Sequence, residues 1–181
     1  ITVINSKLIP PMPQATYMRR SSFIKKMNQA MERQLLLVHS GPGFGKSLGL
    51  AQYFSDQPIV YSWYTVTEED DDIIPFVTYL HASIERVIPN FKKAFHHLDI
   101  PQGFVSDEEI HQWAAFLINE LCEISEPFVI IIDDFHLVDH VFQINVFMER
   151  MIKLLPPHIR LVISGRSRPK LSSLLKLRLN D

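Results

Sequence analysis

Four short apolar runs, residues 35–39, 59–64, 128–132 and 160–164, do most to limit what this chain can become. Each is bounded by turn-forming or polar residues, and unbroken apolarity over so few positions fits strands buried on both faces, as in a parallel sheet. Segments with helical spacing lie between them, at residues 47–55, 74–87, 107–123 and 141–154. The third opens Ser106-Asp107-Glu108-Glu109, a capping-box pattern in which each end side chain satisfies a backbone N–H at the other's position. Strand and helix alternate, which predicts right-handed crossovers and a three-layer αβα sandwich. A further helix is expected over residues 22–33, with Phe23, Met27, Ala30 and Met31 on one face. Ile9 to Pro13 is too proline-rich for helix or central strand and reads as an extended lead-in.

A chain of 181 residues, 46% of them apolar, builds one core and leaves no room for a second full domain. We divide it into a lead-in with its helix, residues 1–34, and a core, residues 35–181. Cys122 is the only cysteine, so an internal disulfide is excluded and any metal must be held by oxygen. No window offers the roughly 18 to 20 apolar residues that span a bilayer, and the start lacks the order of a signal peptide; the expectation is a cytoplasmic protein without membrane contact. A first residue other than Met and an end without a terminating motif suggest a piece of a longer protein. Residues 1–50 carry 7 Lys/Arg against 1 acid, residues 51–149 carry 3 against 18, and residues 150–181 carry 8 against 1. Two basic segments around an acidic middle fit a polyanion held between them, with carboxylates for a metal.

The segment Ser40-Gly41-Pro42-Gly43-Phe44-Gly45-Lys46-Ser47 follows an apolar run and precedes an amphipathic one. That is the strand–loop–helix setting of a phosphate-binding loop. Its glycines let successive N–H groups converge on phosphate oxygens, and the following helix aims its positive end at the same point. Lys46 would reach the β and γ phosphates, Ser47 would offer its hydroxyl to Mg²⁺, and Leu48 continues the same turn beside the nucleotide. Ser40 stands where the motif has glycine.

Val129-Ile130-Ile131-Ile132 ends in Asp133-Asp134, two carboxylates at the edge of a parallel sheet where ligands of open α/β folds bind. Asp133 is expected to hold Mg²⁺, directly or through water, and Asp134 to orient or deprotonate the attacking water. The competing reading is that the pair only caps the next helical turn. Leu161-Val162-Ile163-Ser164 leads into Gly165-Arg166, setting a guanidinium at a strand end where it would touch the γ-phosphate; Arg168 is the alternative. The acids from Glu68 to Asp72 read as helix caps ahead of Pro75 rather than as a cation site. His96 and His97 have no carboxylate partners at ligand spacing, Trp63 and Trp113 read as core, and His136 reads as a helix-start hydrogen-bonding group.

Taken in order, Ser6-Lys7-Leu8-Ile9-Pro10-Pro11, Gly43 to Ser47, Tyr61-Ser62-Trp63, Asp72 with Phe76 and Tyr79-Leu80, Ile131 to Leu137, Leu155-Pro156-Pro157 and Ser164-Gly165-Arg166 form a pattern. With it the chain resembles the nucleotide-binding (NB-ARC/AAA-like) domain of MalT-type regulators, ATP-dependent members of the LuxR family within the STAND class of P-loop ATPases. The resemblance implies a sheet of order 5-1-4-3-2, with residues 176–179 as the edge strand. It implies ATP and ADP as ligands with Mg²⁺, an ATP-bound form of the full-length protein that self-associates, and DNA bound only through a domain absent from this chain. It also implies that Arg20, or Arg19, lies near the adenine. Gly49 departs from the family pattern and is expected to interrupt the helix after the loop, at about 1 kcal/mol relative to Ala.

Three functions follow: a slow regulatory ATPase used as a switch, a nucleotide-dependent scaffold without turnover, and a P-loop kinase. Asp134 favours the first over the second.

Overall fold

The computed structural model describes residues 2–12, 21–39, 41, 45–88, 91 and 104–171. Its strands are β1 (Leu35–His39), β2 (Val60–Thr65), β3 (Phe128–Asp133) and β4 (Ile159–Gly165). Its helices are α1 (Ser21–Ala30), α2 (Lys46–Ser55), α3 (Ile73–Glu85), α4 (Asp107–Cys122) and α5 (Phe142–Leu154). Single 3-10 turns occur at Asn5–Leu8, Glu68–Asp70 and Phe135–Leu137.

The strands pair in parallel in the order β1-β4-β3-β2. That is the expected order without its fifth member, since residues 176–179 lie outside the described residues. β3 is buried along its whole length, as its unbroken apolar sequence requires. Alternate side chains feed two cores. Leu36, Trp63, Val129, Ile131 and Val162 pack with Met27 of α1 and with Leu50, Ala51 and Phe54 of α2. Tyr64, Ile130, Ile132, Leu161 and Ile163 pack with Phe76 and Leu80 of α3, Trp113 and Leu121 of α4, and Phe147 and Met151 of α5. The result is helix, sheet, helix, each large buried side chain contributing roughly 1.5–3 kcal/mol. Trp63 and Trp113 are both core residues, as expected.

The acids from Glu68 to Asp72 do what capping predicts. Asp72 accepts from Ile74 N at 2.8 Å and starts α3, while Asp70 accepts from Thr67 N at 2.9 Å. Asp70 has a second partner that no helix rule foresees. Lys7, on the turn Asn5–Leu8, is buried with Nζ 2.8 Å from Asp70 Oδ1, 2.7 Å from Thr67 Oγ1 and 4.4 Å from the centre of the Tyr79 ring. The lead-in is therefore pinned to the β2–α3 connection. The Ser106–Glu109 capping box forms, with Ser106 N donating to Glu109 Oε2 at 2.8 Å. Those bonds hold the Glu109 carboxyl below the usual range.

Two expectations are corrected. α1 stops at Ala30, because Glu32 and Arg33 donate to Gln29 and Ala30, three residues back, and the chain tightens into a turn before β1. Gly49 does not interrupt α2. It is buried inside the helix, and its N–H closes the first helical turn on Gly45 O at 2.9 Å. Among the described residues, no helix is long and apolar enough to cross a membrane.

Candidate functional site

Three strand ends meet at one edge of the sheet. β4 lies between β1 and β3, and His39 pairs with Gly165, so the segments after β1, β3 and β4 emerge side by side. α2 starts directly after the loop that leaves β1. Its N-cap is Gly45, at φ 62° and ψ 35°. A side chain there would meet the left-handed penalty of about 1–2 kcal/mol, which explains glycine at this position. Lys46, Ser47 and Leu48 form the first turn of α2 and are half-buried, at the end of the helix that carries its positive dipole. Gly41 is half-buried. Ser40, Pro42, Gly43, Phe44, Arg19, Arg20, His96 and His97 lie outside the described residues.

Asp133 ends β3 and is 1% exposed. Its Oδ1 accepts from the Ser164 hydroxyl of β4 and from Asp134 N at 3.1 Å. Its backbone carbonyl accepts from Val66 N at 2.9 Å, which ties the β2–α3 connection to the same point. Ser164 is a residue that sequence reasoning used only as part of a pattern. The signal was present, a lone hydroxyl in an apolar run, but its target depends on the register between β3 and β4.

Asp134 stands at φ 58° and ψ 31°, the single non-glycine residue with positive φ among the described residues. It precedes the turn Phe135–Leu137 without a side-chain capping bond to it, which disfavours the pure capping reading. Burial and then the neighbouring Asp133 charge push its carboxyl above the usual range, and His136, Lys46 and Arg166 pull it back. The fields of Lys46, at the start of α2, and of Arg166, just past the end of β4, thus both act on Asp134. Arg166 is exposed and Arg168 half-buried.

His136 fills the gap between the β3 and β4 ends. A Cβ added at Gly165 would stand 3.3 Å from His136 Cβ and 3.4 Å from its backbone N, a contact tight enough that one side would have to give by a few tenths of an ångström. The His136 side chain is 13% exposed, with Nδ1 3.7 Å from Asp134 Oδ1, and the expected helix-start hydrogen bond is not formed.

No protein-family model matches the chain. Among curated proteins, the HTH-type transcriptional regulator MalT of Vibrio cholerae is 28% identical over 178 residues, 98% of this chain and 19% of that protein. MalT of Yersinia pestis is 26% identical over 182 residues, again 19% of its length. The serine/threonine-protein kinase PknK of Mycobacterium tuberculosis is 29% identical over 136 residues, 74% of this chain and 12% of the kinase. Among solved structures, the Walker-type ATPase PabY2304 of Pyrococcus abyssi aligns over 81% of this chain and 45% of its own, at 16% identity and a TM-score of 0.48. The chain is similar, along nearly its whole length, to one segment of the MalT regulators. It spans about a fifth of the length of the MalT proteins it matches.

The oxygen donors expected from the sequence, the Asp133 carboxylate and the Ser47 hydroxyl, are of the type a hard cation takes, and among the described residues no group of three or more His, Cys, Asp or Glu forms a closed metal cage. Mg²⁺ is commonly held this way, by one or two protein oxygens together with water and phosphate. The two hydrogen bonds already on Oδ1 of Asp133 fix its rotamer and leave lone pairs on the carboxylate for a ligand or a bridging water.

Proposed function

We propose that this chain is the ATP/ADP-binding switch domain of a signal-responsive transcriptional regulator, with slow Mg²⁺-dependent ATP hydrolysis resetting its active state. The observation that carries the reading is the convergence of the α2 start, the β3 end and the β4 end on Asp134, whose carboxyl feels Lys46, Asp133 and Arg166 together. In this reading Ser40 to Leu48 wrap the phosphates, with Lys46 neutralising the terminal ones. Ser47 and Asp133 hold Mg²⁺, which draws charge from the phosphate oxygens when bound. Asp134 orients the attacking water and takes its proton, Arg166 stabilises charge on the transferred group, and Arg20 lies by the adenine. The raised carboxyl of Asp134 suits a proton acceptor, because a base works best as its affinity for protons approaches that of the medium. Residues 35–181 carry the nucleotide and residues 1–34 brace them.

A MalT regulator and a protein kinase, named for different outputs, share a stretch similar to this chain. A common control element fits both better than a DNA reader or a kinase centre. DNA contact, and the self-association of the ATP form, then belong to the longer cytoplasmic protein.

Isothermal titration with ATP·Mg²⁺ and a phosphate-release assay test the proposal. Lys46→Ala should abolish binding, and Asp134→Asn should bind normally and release no phosphate. If Asp134→Asn turns over like the parent chain, its role as base is wrong. If the parent chain binds ATP and never releases phosphate, the domain is a non-hydrolysing scaffold.

A further inference from the structure

His136 is not accounted for by the roles above. Both of its ring nitrogens are buried without a hydrogen-bond partner, although the residue sits at the centre of the site. A neutral imidazole always carries one donor, and leaving a buried donor unmade costs about 1–3 kcal/mol, so such a group calls for a partner. The geometry narrows the candidates. Gly165 of β4 closes one side of His136. On another, Asp134 Oδ1 is the acidic oxygen within ion-pairing range of Nδ1, at 3.7 Å. An approach of about 1 Å brings that pair into hydrogen-bond range.

We infer that His136 is a positioning residue for Asp134, its Nδ1–H donating to the Asp134 carboxylate and fixing the direction in which it points. The inference rests on the hydrolytic reading for its catalytic meaning but not for the contact itself. Asp134 needs such a partner. Its side chain makes no capping bond to the turn that follows, so that turn does not fix the direction of the carboxylate. Asp133 repels it, and Lys46 and Arg166 act on it from other elements. A ring wedged against β4 also makes the direction of Asp134 depend on where the β4 end, with Arg166, is standing. Holding through a second residue in this way governs activity in other sites, where removing the outer partner commonly lowers it 10- to 100-fold, a scale known best from metal centres.

Two measurements decide it. In nitrogen–proton correlation spectra of the 181-residue chain, the neutral His136 ring should carry its proton on Nδ1, and Asp134→Asn should shift that signal. A ring protonated only on Nε2, or a signal indifferent to Asp134→Asn, overturns the inference whether or not the chain hydrolyses ATP. In phosphate release, His136→Leu should lower kcat about 10-fold or more with KM for ATP unchanged, and His136→Asn, which offers an N–H near the place of Nδ1, should recover most of it. Parental kcat in His136→Leu, or equal losses in Leu and Asn variants that melt like the parent chain, refutes the positioning role. A parent chain that releases no phosphate fails the hydrolytic reading alone, and the spectra still decide the contact.

Discussion

Asp134 is the residue at which conformation and charge are both out of the ordinary. Its carboxyl is raised in the folded chain, mainly by burial, so the folded state binds the proton more tightly than the unfolded state does. Between the ordinary aspartate range and that raised value, stability of the ligand-free chain must fall as pH rises, because the folded state then holds more protons than the unfolded one. Asp134→Asn removes this term. The variant should melt at higher temperature than the parent at neutral pH, with the gap narrowing as pH is lowered through the carboxylate range; a lower melting temperature at neutral pH contradicts the sign. Gly45 gives the opposite case. Gly45→Ala should cost about 1–2 kcal/mol in urea unfolding, from the left-handed φ alone, and weaken ATP binding with it. At this scale the sequence was informative where a motif names its own geometry. The glycine before Lys46 and the paired acids after an apolar run were legible from spacing. Ser164, Gly165 and His136 were not, because what they touch is set by how β4 lies against β3, and no local pattern encodes that distance.

Among the elements, the caps were readable and the lead-in was not. Ser106 and Glu109 satisfy each other's N–H groups three residues apart, a relation written in the chain. Lys7 finds Asp70 across 63 positions, and nothing near either residue announces it. The consequence is measurable. Lys7→Met leaves Asp70, 1% exposed, without its cation, and breaking one side of such a buried pair costs about 3–5 kcal/mol. The midpoint of chemical unfolding should drop accordingly, and the double variant Lys7→Met with Asp70→Asn should recover part of the loss. No recovery would mean that Lys7 acts through its packing on Tyr79 rather than through charge. The same pair links the lead-in to Val66, whose N–H holds the carbonyl of Asp133, so the brace ends at the site.

Across the whole molecule, the order β1-β4-β3-β2 was expected from the family pattern, and its meaning lies in the last of the described strands being an inner one. β1 has no partner among the described strands except β4, and β4 supplies both Ser164 to Asp133 and the close contact to His136. A chain truncated before Ile159 should therefore lose cooperative unfolding and ATP binding together, as read by calorimetry; a truncated chain that melts in one sharp transition would contradict this. A ribosome delivers the same chain from its N-terminus, at about 5–20 residues per second. For several seconds the phosphate loop and the acid pair exist as parts of two separate half-built pieces, the first strand exposing an open edge that attracts other chains. Only when the segment after Pro157 emerges can it slip between them, and the nucleotide, arriving at that moment, would act as the clasp that keeps the newborn sheet shut.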